Sequence, residues 1–454
     1  MTNNAKRLVR IAVVSALAAP ATALATNGYQ LIGVGAYQKG MGGAVTSNPG
    51  SAMTAITNPA GMAAVGPRAD FSMEAFMPDR SWDFSDYNGT GGKEDSEVSM
   101  YGVPALGWTA PTSDGSDMYF GGGMYGTSGM GVDYAKTTFA NGTPFGDVDL
   151  DGYSQIQFWQ MAPTLAWSVN EKLKVGAALN IDYQSVGFQQ RMDASGVGGR
   201  FMNFNLNRQA SAFGYGLTFG MLYDVNDMVT VGASYKSKQN FQDLEYQLRA
   251  GDIQNFPDGN GGLVDSQDGT YKMDLDYPQQ LAAGITVRPN DRLNVSFDVK
   301  WIEWSDTMNE LTIDGDFNTG NPMGPSPGAT TENAVLEPGW DDQVVYAIGM
   351  NYAATDALTL RAGYNYSESP IESEDVFSNL VLPAVTESHL TLGGTYEINN
   401  RWDFSFAFMK AFNNDVKGKD DIPTAYDNLG FGSDSRTKIE LEEESYSFNI
   451  GYRF

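Results

Sequence analysis

Few residues in this chain of 454 carry the chemistry of an active centre. There is no cysteine, and His389 is the single histidine. Thiol catalysis, disulfide scaffolds, iron–sulfur clusters and multi-histidine metal centres are therefore excluded. A catalytic triad would have to take His389 as its base, yet no G-x-S-x-G elbow occurs and His389 stands beside Thr391 without a serine–acid arrangement. Asp147-Val148-Asp149-Leu150-Asp151-Gly152 opens like a calcium loop, but Phe158 occupies the position that needs a bidentate glutamate. The expectation is a chain that is not an enzyme and holds no cofactor or metal. With 28 basic against 55 acidic residues, a formal charge of −27, nucleic acid is a poor partner too.

The elements are legible from what is in excess: 52 Gly, 24 Phe, 23 Tyr and 8 Trp, with charged residues at only 18%. At the C-terminus Tyr446, Phe448, Ile450, Tyr452 and Phe454 alternate with Ser445, Ser447, Asn449, Gly451 and Arg453. Period 2 is a strand, with a greasy face and a small or polar one. The pattern recurs in fourteen segments, among them 118–126, 156–169, 270–288 and 401–412. Short connections alternate with long ones at 78–97, 127–155, 191–207, 242–269, 305–341, 367–386 and 413–441. Loops sorted by length onto two sides predict an all-β fold: a 14-stranded antiparallel transmembrane β-barrel over residues 68–454. No apolar run after Ala25 is long enough for a transmembrane helix.

Residues 1–25 read as a signal peptide. Lys6, Arg7 and Arg10 precede the apolar stretch Ile11 to Ala19, and Ala23-Leu24-Ala25 offers cleavage after Ala25. Residues 26–67 follow neither pattern. They are rich in Gly, Ala, Ser and Asn, with turn signals at Asn48-Pro49 and Asn58-Pro59 and apolar Met41, Met53, Ile56 and Met62. This segment is expected to fold as an N-terminal plug inside the lumen.

Asn27-Gly28-Tyr29-Gln30, Gly40-Met41-Gly42-Gly43-Ala44, Asn58-Pro59-Ala60-Gly61, Gly339-Trp340-Asp341-Asp342 and Arg361-Ala362-Gly363-Tyr364 occur in the order that resembles the long-chain fatty acid and hydrocarbon transporters of the Gram-negative outer membrane. The resemblance implies a monomeric barrel closed by an N-terminal hatch and passive uptake of long-chain fatty acids, or else of alkanes and monoaromatic hydrocarbons. It further implies capture in a loop groove, a deeper pocket, and lateral release at a kinked third strand. That strand carries Gly121-Gly122-Gly123, which weakens pairing and either permits a kink or gives the plug room.

Apolar residues gather in two long loops: Phe201, Met202, Phe204 and Leu206 in one, and Leu244, Leu248 and Phe256 in the other, partly at helical spacing. They are candidates for the ligand-collecting groove, or for a loop cap. Lys300 and Arg361 fall on the lumen parity, where each is a candidate partner for a fatty carboxylate or for a lumen acid such as Asp298. The acidic loops 305–341 and 367–386 face outward in this reading, as solvated surface or as holders of divalent cations shared with lipopolysaccharide, and outer-membrane lipid and lipopolysaccharide are expected partners. A general diffusion porin or a structural, adhesive barrel are the alternatives.

Overall fold

The computed structural model describes residues 27–85, 91–143, 146–197, 199–320, 330–418, 421 and 436–454. The expected signal peptide and its cleavage after Ala25 lie outside these residues. Fourteen antiparallel strands close into a barrel. In chain order they are β1 (Arg68–Ser85), β2 (Tyr101–Pro111), β3 (Met118–Thr143), β4 (Gly146–Met161, resuming at Thr164–Ser168), β5 (Leu173–Ala194), β6 (Ala210–Asn226) and β7 (Val229–Lys236). The second half comprises β8 (Gln280–Asn290), β9 (Leu293–Ile302), β10 (Gln343–Ala353), β11 (Leu358–Tyr366), β12 (Ser388–Glu397), β13 (Trp402–Lys417) and β14 (Arg436–Arg453). Each strand pairs with its chain neighbour, and β14 closes on β1 from Arg68↔Arg453 to Ser85↔Arg436, so no edge is left for aggregation.

The short turns carry their own chemistry. Asn170, Asn226, Asn290 and Asn399 each accept a backbone N–H two residues on, and Thr355 does the same with its hydroxyl. A side chain that mimics a turn carbonyl makes a tight reversal cheap.

Several strands run further toward the long loops than alternation alone predicts. Stretches expected as loops at 127–155 and 413–441 are in part continuations of β3, β4, β13 and β14. The reason is visible along β14. Its even residues face outward throughout, as Tyr446, Phe448, Ile450 and Tyr452 near one end and Lys438, Glu440, Glu442 and Glu444 near the other. The inward set changes oppositely, from Ser445, Ser447 and Asn449 to Ile439 and Leu441. Parity is constant while polarity changes sides. Lipid outside demands an apolar outer face, and above the lipid the outer face meets water while the interior becomes a hydrophobic core. The calcium-like stretch Asp147–Gly152 is accordingly extended strand, not a loop.

A six-stranded sheet covers the long-loop end. Leu244–Leu248 pairs with Gly269–Met273, which pairs in turn with Leu311–Thr319. This corrects two expectations. The segment expected as one strand over 270–288 is divided: its first part belongs to the loop sheet and the barrel strand begins at Gln280, with Pro278, which has no N–H to give a ladder, between them. Leu244 and Leu248 are not on a helix; they alternate with exposed Glu245 and Gln247 on a strand.

Residues 27–66 pack against inward-facing side chains around the wall. Helix α1 (Gly35–Gly40) is fully buried. Lys39 pairs with Glu74 of β1 at 2.8 Å. The amide of Thr46 donates to Asp298 at 2.7 Å, Ser47 meets Thr286, and the carbonyls of Gly40 and Gly42 accept from Thr391 and Asn365. Glycines of the wall sit where this segment presses closest. A Cβ on Gly349 would lie 2.5 Å from the Met41 carbonyl oxygen, and one on Gly176 would lie 2.5 Å from the Ala60 nitrogen. Much of the glycine excess thus serves close backbone approach.

Candidate functional site

The N-terminal segment and β7 to β11 enclose a chamber with about 760 Å³ of atom-free space, its mouths included. Leu31, Ile32, Val34, Val45 and Ile56 give it an apolar side from the segment; Val345 and Ala347 continue that side on β10. Two ammonium groups face it from neighbouring parts of the wall. Lys300 donates to the Gln30 side-chain oxygen at 3.1 Å, and Lys236 to that of Gln160 at 2.9 Å. Both acceptors are neutral amides, and among the described residues neither ammonium lies within ion-pair distance of a carboxylate. Asp298, which shares the lumen parity with Lys300, is instead engaged by the amide of Thr46.

Directly above lies an aromatic cluster that period-2 reading passes over. Tyr29 packs on Trp304 with centroids 4.6 Å apart, and Trp340 and Tyr277 complete the group. All four are buried, and each polar tip that the geometry resolves has a partner: Trp304 donates to Gln343, Trp340 to Asn379, and Tyr277 shares a 2.6 Å bond with Ser128. Gly28 lies so close beneath Trp304 that a Cβ would sit 2.6 Å from the indole. Asn27 accepts from Ser367. Two of its members stand in sequence motifs, Tyr29 in Asn27-Gly28-Tyr29-Gln30 and Trp340 in Gly339-Trp340-Asp341-Asp342; Tyr277 and Trp304 stand in none.

The wall is irregular at β3. Gly121, Gly122 and Gly123 pair with Thr109, Trp108 and Gly107 of β2, and Gly122 has φ of 132°, a conformation side chains rarely adopt. Opposite them β4 is interrupted at Ala162-Pro163. A few residues on, β2 and β3 part: their pairing stops at Ala105↔Tyr125, and β3 bulges between Gly126 and Ser128. The N-terminal segment takes the vacated place. Leu31 donates to the carbonyl of Thr127 at 3.1 Å, and Gly129 donates to that of Tyr29 at 2.9 Å. Leu31 and Ile32 pack there on Phe76, Tyr101 and Val103 while lining the chamber with their other side.

The remaining expected site residues are placed as follows. Asn58 caps the turn Pro59–Gly61 through Ala60 and also donates to the carbonyls of Thr46 and Met221. Pro59 and Ala60 rest against Gly176 of β5, and Asn58 and Pro59 against Gly220 of β6. Phe201, Met202, Phe204, Leu206, Leu244, Leu248 and Phe256 are all buried in one cluster at the long-loop end, where Phe204 stacks on Phe256. Of these, Met202 and Phe256 also line a small groove with Val335, Leu336 and Phe377. Lys300 and Arg361 are not brought together: Arg361 lies at the short-turn end, its guanidinium 4.5 Å from the ring centroid of Tyr37. His389 is buried in the wall beside Ala411.

Residues 12–454 match the family model described as outer membrane protein transport protein (OMPP1/FadL/TodX). Among relatives, the 47 kDa outer membrane protein of Pasteurella multocida is 23% identical over 256 residues, 54% of this chain and 52% of that protein. Outer membrane protein P1 of Haemophilus influenzae is 21% identical over 307 residues, 66% of this chain and 60% of that protein. The alignments thus span about half of these relatives' length or a little more. Among solved structures, a FadL homologue of Pseudomonas aeruginosa superposes with a TM-score of 0.70 at 19% identity, covering 94% of this chain and 100% of that one. The Pseudomonas putida toluene transporter TodX gives 0.68 at 20%, covering 93% and 99%. At these identities the likeness is one of fold.

Proposed function

This chain belongs to the family of outer membrane transport proteins described as OMPP1/FadL/TodX, and on that premise we propose that it conducts hydrophobic molecules passively into the outer membrane, long-chain fatty acids first among them. The observation that carries the reading is the chamber, apolar along Leu31, Ile32 and Val345 and faced by Lys236 and Lys300, whose ammonium groups donate to neutral amides and, among the described residues, have no carboxylate within ion-pair distance. An alkyl chain gains about 25 cal/mol for each Å² it buries, and a carboxylate head supplies a counter-charge in direct contact, as a charge-assisted bond. Residues 26–67 act as the plug, and the protein works as a monomer in contact with lipid and lipopolysaccharide. Capture begins in the groove at Met202 and Phe256. Release is lateral: when the stretch around Leu31 and Ile32 leaves the β2/β3 gap, the chamber opens toward lipid.

Uptake of neutral alkanes or monoaromatics is the second reading, favoured by the toluene transporters among the similar folds and by the way Gln30 and Gln160 already cap the two amines. Purified protein in lipid vesicles decides between them by binding of oleate against hexadecane. The fatty-acid reading expects oleate binding that Lys300→Met weakens while hexadecane binding is spared; equal loss for both ligands, or none, sinks it. Swelling of the same vesicles in small sugars would return the porin.

A further inference from the structure

At the short-turn end the N-terminal segment and the wall enclose a second cavity, with about 400 Å³ of atom-free space, that shares no lining residue with the chamber. Its lining is polar: Tyr37 and Ser51 from the segment, and Arg68, Arg361, Thr395, Glu397, Asp403 and Arg453 from the wall. The carboxylates here are all engaged. Asp403 lies 3.3 Å from both Arg68 and Arg453, Glu397 lies 3.1 Å from Arg453, and Asp70, just behind, holds the other contact of Arg68 at 2.6 Å.

Arg361 differs from its two neighbours. No carboxylate among the described residues lies within ion-pair distance of it. Its Nη1 donates to the Thr395 hydroxyl at 2.7 Å, the Tyr37 ring stacks on its face, and its Nε is buried without any hydrogen-bond partner. The residue is 8% exposed. A guanidinium does not shed its proton, so the charge persists in a place where water reaches it only through the cavity. Thr395 and Tyr37 fix the plane of the group. Nε is closed off, so the donors left for a ligand are those of the terminal Nη2, a charge-assisted contact suited to a carboxylate. Glu397 and Asp403 stand on the same lining and repel a second negative charge, which disfavours a phosphate dianion.

We propose that this cavity is a binding site for a small monoanionic carboxylate arriving from the short-turn side, held by the guanidinium of Arg361. The site is independent of the transport reading, since the chamber and its lysines take no part in it.

The test uses the full chain in detergent micelles at neutral pH and constant ionic strength. Thermal unfolding midpoints are followed against sodium acetate, sodium phosphate and sodium chloride, with line broadening of carbon-13 acetate as a direct readout. The expected result is a saturable response to acetate, none to phosphate beyond that of chloride, and at least a tenfold weaker acetate affinity in Arg361→Gln. An acetate response indistinguishable from chloride, a phosphate response as strong as acetate, or full acetate binding by Arg361→Gln would overturn the assignment. If Arg361→Gln does not fold, Thr395→Val keeps the charge while freeing Nη1. It should weaken acetate several-fold, and unchanged affinity there overturns the proposal equally.

Discussion

The backbone of Leu31 donates to the carbonyl of Thr127 across 3.1 Å, at the point where β3 has lost β2 as its partner. A residue near the start of the described chain thereby stands in for a strand of the wall. The consequence is mechanical: whatever displaces Leu31 exposes unpaired strand edges and an apolar gap lined by Phe76, Tyr101 and Val103.

Leu31→Ala should loosen this seal by about 2–5 kcal/mol, the usual range for truncating a buried leucine. The chain has no cysteine, so Val103→Cys is a clean reporter of the gap. A maleimide should label it faster in the Leu31→Ala background, and exchange of the Gly129 amide, which donates to Tyr29, should quicken. An unchanged labelling rate would show that Leu31 does not hold the gap shut.

Gly176→Ala should unseat the Asn58–Ala60 turn, because the new methyl would meet the Ala60 nitrogen at 2.5 Å. Overpacking of this kind costs about 1–3 kcal/mol. Gly102→Ala on β2 is the control, since a Cβ there meets nothing within 4 Å and should leave stability within about 0.5 kcal/mol. Unfolding midpoints of the two variants decide the matter; similar values would mean that the segment does not press on the wall.

Lys39→Met should destabilise the protein by about 3–5 kcal/mol by leaving Glu74 buried without its counter-charge. The double change Lys39→Met with Glu74→Met should recover part of that loss, because the Glu74 carboxylate goes with its partner while buried Glu443 stays. A double variant as unstable as the single one would place the defect in packing instead.

Asp375, in the long loop between β11 and β12, has its carboxyl pushed up to about 6, first by partial burial and then by Glu374, Glu372, Asp341 and Glu337. A raised carboxyl means that the folded loop disfavours the charged form. The loop is therefore tightest below the ordinary aspartate range and loosens as pH rises through about 6. The protection factor of the Asp341 amide, which donates to Pro370, should fall between about pH 4 and 6. Asp375→Asn should remove most of that dependence and slow exchange at neutral pH. A flat profile in the unaltered protein would contradict this.

Strand identity, strand count and the sorting of loops were legible because each rests on local periodicity. In β13 and β14, Phe404, Phe406 and Phe408 beside Tyr446 and Phe448 announce a lipid-facing surface by alternation alone. The same residues explain where the reading stopped. Ile439 and Leu441 lie on the parity of Ser445 and Ser447, so apolarity changes faces above the lipid and a rule that ties apolar to outward ends the strand too early. Leu244 and Leu248 satisfy helical and strand spacing at once, and only the pairing with Met273 and Gly269 separates the two.

The sites depended on closure of the barrel. Lys300 and Arg361 are equivalent in sequence, each a cation on the lumen parity of a strand. They end in different cavities because Lys300 meets Gln30 and Arg361 meets Tyr37. Tyr29, Tyr277, Trp304 and Trp340 come from distant parts of the chain and carry no shared pattern, yet form one buried cluster. The sequence by itself determined which face each strand residue takes, since that follows from neighbours one or two positions away. Only the tertiary structure decided which inward residues meet which part of the N-terminal segment, because those contacts depend on the register at which β1 closes on β14 and on glycines that let two backbones touch.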